Sequence, residues 1–138
     1  IIGRNVLNGN PVNFGKLYVY GDGKLTYTLN TSKQSEFMIQ LDFGRVYKVF
    51  IQHPSSPLMH FEVNATTIPA DKYVYRMTYE FQAELADKWD EDLDTTVYKN
   101  PFHRVVFNGI NQMVADTAYN VEFNKHKLKK NMPGFAAG

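Results

Sequence analysis

The stretch Tyr73-Val74-Tyr75-Arg76-Met77-Thr78-Tyr79-Glu80-Phe81-Gln82-Ala83-Glu84-Leu85 decides the fold. Its odd positions, Tyr73, Tyr75, Met77, Tyr79, Phe81, Ala83 and Leu85, are apolar, while the even positions from Arg76 to Glu84 are polar. A helix would scatter these apolar side chains around its circumference, whereas a strand sets all of them on one face. The period of two predicts one long strand over Tyr73 to Leu85, one face on a core and the other in solvent. Only Val74 breaks the polar face.

Upstream, short runs of the same kind are separated by turn chemistry. Asn8-Gly9-Asn10-Pro11 follows Ile1 to Leu7, and Gly21-Asp22-Gly23 separates Leu17-Tyr18-Val19-Tyr20 from Leu25-Thr26-Tyr27-Thr28-Leu29. Asn-Gly and Asp-Gly accept the positive φ of tight hairpins, so both sites read as hairpin turns. Phe37 to Leu41, Val46 to Ile51 and Met59 to Val63 read as further strands, the second of mixed burial. His53-Pro54-Ser55-Ser56-Pro57 is loop, because its prolines remove ladder donors. Short strands at such spacing predict a mainly β domain, an antiparallel sandwich or open barrel.

Composition narrows the function classes. The 138 residues carry 15 Lys and Arg against 14 Asp and Glu, a net charge of +1, so the attraction expected of a nucleic-acid binder is missing. Cysteine is absent, which removes disulfide frameworks, thiolate zinc sites and thiol nucleophiles together. No apolar run approaches the roughly 20 residues that span a bilayer, so no transmembrane segment is expected. Nine Tyr and ten Phe against one Trp favour strands.

The order of strands and turns resembles the carboxypeptidase-regulatory-like family. The resemblance is carried by Gly3 to Val12 with Asn8-Gly9-Asn10-Pro11-Val12, by Leu17-Tyr18-Val19-Tyr20-Gly21-Asp22-Gly23-Lys24, by Phe37-Met38-Ile39-Gln40-Leu41 and by Tyr47-Lys48-Val49. It implies a transthyretin-like β-sandwich of about seven strands over residues 1 to 85. Thr31-Ser32-Lys33-Gln34-Ser35 departs from the family's glycine turn at that place, so this turn must be built differently. The stretch from Ile68-Pro69 to Lys99-Asn100-Pro101 is similar to a longer variant found in envelope proteins of gliding, type IX-secreting bacteria. That similarity implies an exported chain, in the periplasm or at the outer-membrane periphery, bound to other envelope proteins.

Residues 86 to 138 read as a C-terminal extension, packed on the sandwich or trailing from it. Phe102 to Phe107 suggests one more strand, Gln112 to Lys130 has room for a short helix, and the end from Met132 has no periodicity and reads as a mobile tail. Asp87, Asp90, Glu91, Asp92 and Asp94 form an acidic loop that lacks the EF-hand order and its glycine, so a solvated loop is expected in place of a calcium site. Trp89, Tyr98 and Phe102 flank that loop and are the candidate interface residues. They either anchor a partner or tuck the extension onto the sandwich.

Catalytic signatures are missing. His53, His60, His103 and His126 form no spaced pair and read as surface or loop residues. Glu80 and Glu84 lie on one strand face, and with Gln82 they read as an ordinary solvent face of an antiparallel sheet. No catalytic residue, cofactor or metal is assigned. The expectation is a non-catalytic structural or accessory subunit of a bacterial cell-envelope assembly, acting through protein–protein binding, with a carbohydrate-binding module as the alternative.

Overall fold

The two Asx-Gly pairs turn the chain as predicted. Asn8 and Gly9 take φ of 52° and 81°, and Asp22 and Gly23 take 50° and 83°, the left-handed values that a two-residue hairpin turn requires. The computed structural model describes residues 1–12, 15–31, 35–72, 77–91 and 93–130. Among these it builds β1 (Ile2–Leu7), β2 (Asn10–Pro11), β3 (Gly15–Gly21), β4 (Lys24–Thr31), β5 (Glu36–Met38), β6 (Val46–Gln52) and β7 (Met59–Asn64). The chain continues through β8 (Glu80–Leu85), β9 (His103–Phe107), β10 (Met113–Ala115) and helix α1 (Thr117–Lys130), with short 3-10 helices at Ala70–Lys72 and Thr95–Lys99.

The strands form two mixed sheets in a sandwich-like arrangement. The larger runs β10-β9-β7-β6-β3-β4, and the smaller sets β1 between β8 on one side and β2 and β5 on the other. Most neighbours are antiparallel, as the alternating pattern suggested. Two pairings are parallel: Ile2 to Leu7 against Glu80 to Leu85, and Phe61 to Asn64 against His103 to Val106. Parallel neighbours need a long crossover. Here the chain leaves the larger sheet after β7, adds β8 to the smaller one and returns as β9. Period-two patterning reports burial, not strand direction, so it was blind to this. β9 and β10 also carry the larger sheet beyond residue 85, so the segment 86–138 supplies two of its six strands.

The long strand expected from Tyr73 is shorter. Ladder pairing begins at Glu80, and residues 73–76 lie outside the described residues. The face assignment nevertheless holds from Met77 to Leu85: odd positions are buried or half-buried and even ones exposed. Ile2 N donates to Tyr79 O at 2.8 Å, so the approach to β8 is already tied to β1. The turn at Thr31 to Ser35 and the tail from Met132 fall largely outside the described residues.

The core lies between the sheets. Leu17, Val19, Val49, Ile51, Phe61 and Val105 of the larger sheet are fully buried, facing Phe37, Phe81, Ala83 and Leu85. Phe61 is central: its ring centroid is 5.0 Å from Phe81, 6.1 Å from Phe37 and 6.3 Å from Phe102. Phe37 reaches this position by crossing over Gly3. A Cβ on Gly3 would stand 2.2 Å from Phe37 Cζ, so the absence of a side chain there is a packing requirement.

The histidines correct the surface reading. His60 is 3% exposed, with its ring stacked on Phe50 at 4.7 Å. His103 is half-buried, stacked on Phe81 at 4.6 Å with Nε2 2.8 Å from Tyr79 Oη. His53 is buried in its loop, where Nδ1 accepts from Ser55 N at 3.0 Å. Sequence spacing gave no warning, because a neutral imidazole offers apolar faces that pack as an aromatic ring does. The His126 side chain lies outside the described residues. Burial, reinforced by the nearby Lys48 charge, lowers His60 from 6.5 to about 4, and burial lowers His103.

Two outcomes follow. Gly3→Ala should destabilise the domain by about 1–3 kcal/mol, and Phe61→Ala by about 3–5 kcal/mol, in denaturant unfolding. For pH, the unfolded chain protonates its histidines near 6.5 while folded His60 resists until about 4. Stability contributed by neutral His60 is therefore complete above 6.5 and lost as pH falls toward 4. Thermal melts should show this decline, and His60→Phe should reduce its slope without abolishing it, because His103 remains.

Candidate functional site

Alternation that sends Leu17 and Val19 inward sends Lys16, Tyr18 and Tyr20 outward on β3. On β6 the same rule turns Val46, Lys48, Phe50 and Gln52 outward, and on β7 His60 and Glu62. The register sets Tyr18 beside Phe50, Tyr20 beside Lys48 and Phe50 beside His60. A solvent face in a sandwich is ordinarily polar. This one carries a row of aromatic rings.

On β3 and β6 this face forms a groove of about 750 Å³ bounded by Tyr18, Tyr20, Val46, Lys48, Phe50 and Leu58. Tyr20 and Phe50 meet edge to face, 5.5 Å apart at 79°. Tyr18 Oη donates to Gln52 Oε1 at 2.9 Å, and Lys16 Nζ lies 5.2 Å from the Tyr18 ring centroid. One end is closed by the Asp22-Gly23 turn, where Asp22 Oδ1 accepts from Val46 N at 3.1 Å and Asp22 N donates to Val46 O at 2.9 Å. At the other end Leu58, 56% exposed, projects from the proline loop. The groove is apolar and aromatic at its floor, with the Lys16 and Lys48 cations beside it.

The other half of the sheet is covered by the chain's own C-terminal segment. The 3-10 helix Thr95–Lys99 packs against β7 and α1 against β9. The segment is pinned at several points. Arg104 Nε is 2.8 Å from Glu62 Oε2, and its guanidinium lies 4.0 Å from the Tyr119 ring centroid. Asn120 holds the Arg104 backbone, accepting from its N at 2.8 Å and donating to its O at 3.3 Å. Tyr119 Oη donates to Pro101 O at 2.7 Å.

The three candidate interface residues separate here. Tyr98 is 5% exposed and packs 5.9 Å from Phe123; burial, with Asp90 nearby, pushes its hydroxyl up to about 12. Phe102 is half-buried against Phe61, and its N donates to His60 O at 2.9 Å. Both tuck the C-terminal segment onto the sandwich. Trp89 alone presents its ring to solvent, 66% exposed, with Lys88 Nζ 4.6 Å from its centroid. Its loop is ordered by turns: Trp89 N donates to Asp87 Oδ1 at 3.0 Å and Asp90 N to Asp87 O at 3.1 Å. Lys88 N donates to Ser55 O at 3.0 Å, which docks the loop on the proline loop that carries Leu58.

In the acidic loop the carboxylates serve turns. Asp94 Oδ1 accepts from Thr96 N at 3.1 Å and caps the 3-10 helix that follows. Among the described residues, which exclude Asp92, no three His, Asp or Glu side chains converge to hold a metal. Glu80, Gln82 and Glu84 are exposed on the far side of the smaller sheet. A second cavity, about 390 Å³, opens where the sheets part, between Ile1, Ile39, Leu41, Phe43, Met77 and Met113.

The groove escaped the sequence reading, although a signal was present. Leu17-Tyr18-Val19-Tyr20 is apolar at four successive positions, and Val46 to Ile51 is apolar on both faces, so each strand has more apolar faces than one core can cover. No helix among the described residues is long and apolar enough to cross a membrane. No protein-family model, no curated protein and no solved structure matches this chain.

Proposed function

We propose that the chain is a non-catalytic binding domain, an accessory subunit of a cell-envelope assembly, and that the groove on β3 and β6 is its contact surface. The observation that carries this is the aromatic floor itself. The half-buried rings of Tyr18, Tyr20 and Phe50, with Leu58 56% exposed, leave apolar area open beside a half of the same sheet that the chain covers for itself. Contiguous exposed apolar area of this kind marks a binding surface. The envelope setting rests on the similarity of the stretch from Ile68-Pro69 to Lys99-Asn100-Pro101 to the longer variant found in envelope proteins of gliding, type IX-secreting bacteria.

A protein partner fits the groove better than a sugar. Sugar rings stack on aromatic faces that lie flat, but Tyr20 and Phe50 stand 79° apart and form a pitted floor that accepts protruding side chains. The Gln52 carbonyl that would orient a sugar hydroxyl already accepts from Tyr18. On the side of the carbohydrate reading stand the half-buried Tyr20 phenol and the exposed Lys48.

A photo-crosslinking amino acid at Tyr18 should capture a protein in native envelope extracts, and the same group at Glu84, on the opposite sheet, should not. Equal capture at both positions, or binding to a glycan array that Phe50→Ala abolishes, would contradict the protein reading.

A further inference from the structure

The groove and the Trp89 loop are complementary in shape and in charge. The groove is an aromatic depression lined by Lys48, with Lys16 over the Tyr18 ring, and Asp22 is held by Val46 N in the turn at its closed end. The loop is the reverse: an indole 66% exposed on a series of turns, with Lys88 over its ring and Asp87, Asp90 and Glu91 around it, so that the acids outnumber the one cation. Trp is the residue most enriched at the centre of interfaces, and a side chain already held on turns loses little freedom when it docks. Opposite charge on the two surfaces steers their encounter and fixes its orientation.

Their placement suits a symmetric pair. The Trp89 loop is bonded to the proline loop through Lys88 N and Ser55 O, and Leu58 at the end of that proline loop lines the groove. Donor and acceptor thus lie at the same end of one molecule. That placement is compatible with a two-fold contact, in which each copy inserts its loop into the other. Resting on the reading of the groove as a contact surface, we propose that a second copy of this chain occupies it, with Trp89 of each molecule seated among Tyr18, Tyr20 and Phe50 of the other.

Trp89 is the only tryptophan, so its fluorescence reports directly on this contact. In a concentration series at low salt, sedimentation should show a monomer–dimer equilibrium and Trp89 emission should move to shorter wavelength as dimer forms. Both changes should reverse in high salt. Trp89→Ala, at an exposed position that leaves the core untouched, should weaken dimerisation about tenfold or more. Lys48→Glu and Glu91→Lys should each weaken it, and the double variant should recover most of the loss. With the crosslinker at Tyr18, the captured residues of the second copy should map to 87–91.

A chain that stays monomeric at low salt, or a dimer indifferent to Trp89→Ala, overturns the proposal. If the monomer's Tyr18 crosslinker still captures another protein, only the identity of the occupant fails. If a Trp89-dependent dimer forms but Tyr18 captures no second copy, the groove itself is the wrong surface and the reading under it fails too.

Discussion

Everything in this fold hangs on the meeting of Phe37, Phe61 and Phe81 between the two sheets. Phe61 is completely buried on the larger sheet, and the other two rings come from opposite sides of the smaller one. The contact is possible because Gly3, on the strand between them, has no side chain to block Phe37. Once β1 lies under Phe37, its other edge is free to pair with β8. The parallel β1–β8 ladder then forces the chain to cross between sheets on either side of that strand. β9 returns beside β7, the extension follows, and Phe102 closes the cluster from the far end.

A consequence is that the larger sheet is asked to do two things. Its inner face builds the core, and its outer face is divided. The C-terminal segment covers β7 and β9 through Tyr98, Arg104, Tyr119 and Phe123, while β3 and β6 carry rings that none of these residues covers. His60 sits at the boundary, stacked on Phe50 and kept neutral by its burial. In the proposed dimer the tryptophan-bearing loop and the aromatic groove are the two halves of one contact.

Much of the fold was legible because burial imposes period two. The faces of Met77 to Leu85, the turns at Gly9 and Gly23, and the strands at β3, β6 and β7 followed from side-chain chemistry alone. Strand direction did not, since a parallel and an antiparallel neighbour ask for the same alternation. Ladder length was also hidden, because Tyr79 keeps the facing of a strand residue before regular pairing begins. The site was less legible. Trp89, Tyr98 and Phe102 look alike in sequence, all aromatic and near acids, yet only tertiary packing decides that Tyr98 and Phe102 face inward. Tyr18 and Phe50 sit in strands that are apolar on both faces, and only the partner strands decide which face the core fills.

Hydroxyl-radical footprinting of the chain, isolated and within its native assembly, tests the central claim most directly because it reads side chains and not backbone ladders. The account predicts that Tyr18, Tyr20, Phe50 and Leu58 react in the isolated dilute chain and are shielded in the assembly, while exposed Met38 and Ile110 stay reactive in both. Shielding of Met38 or Ile110 with the groove residues unchanged would contradict it.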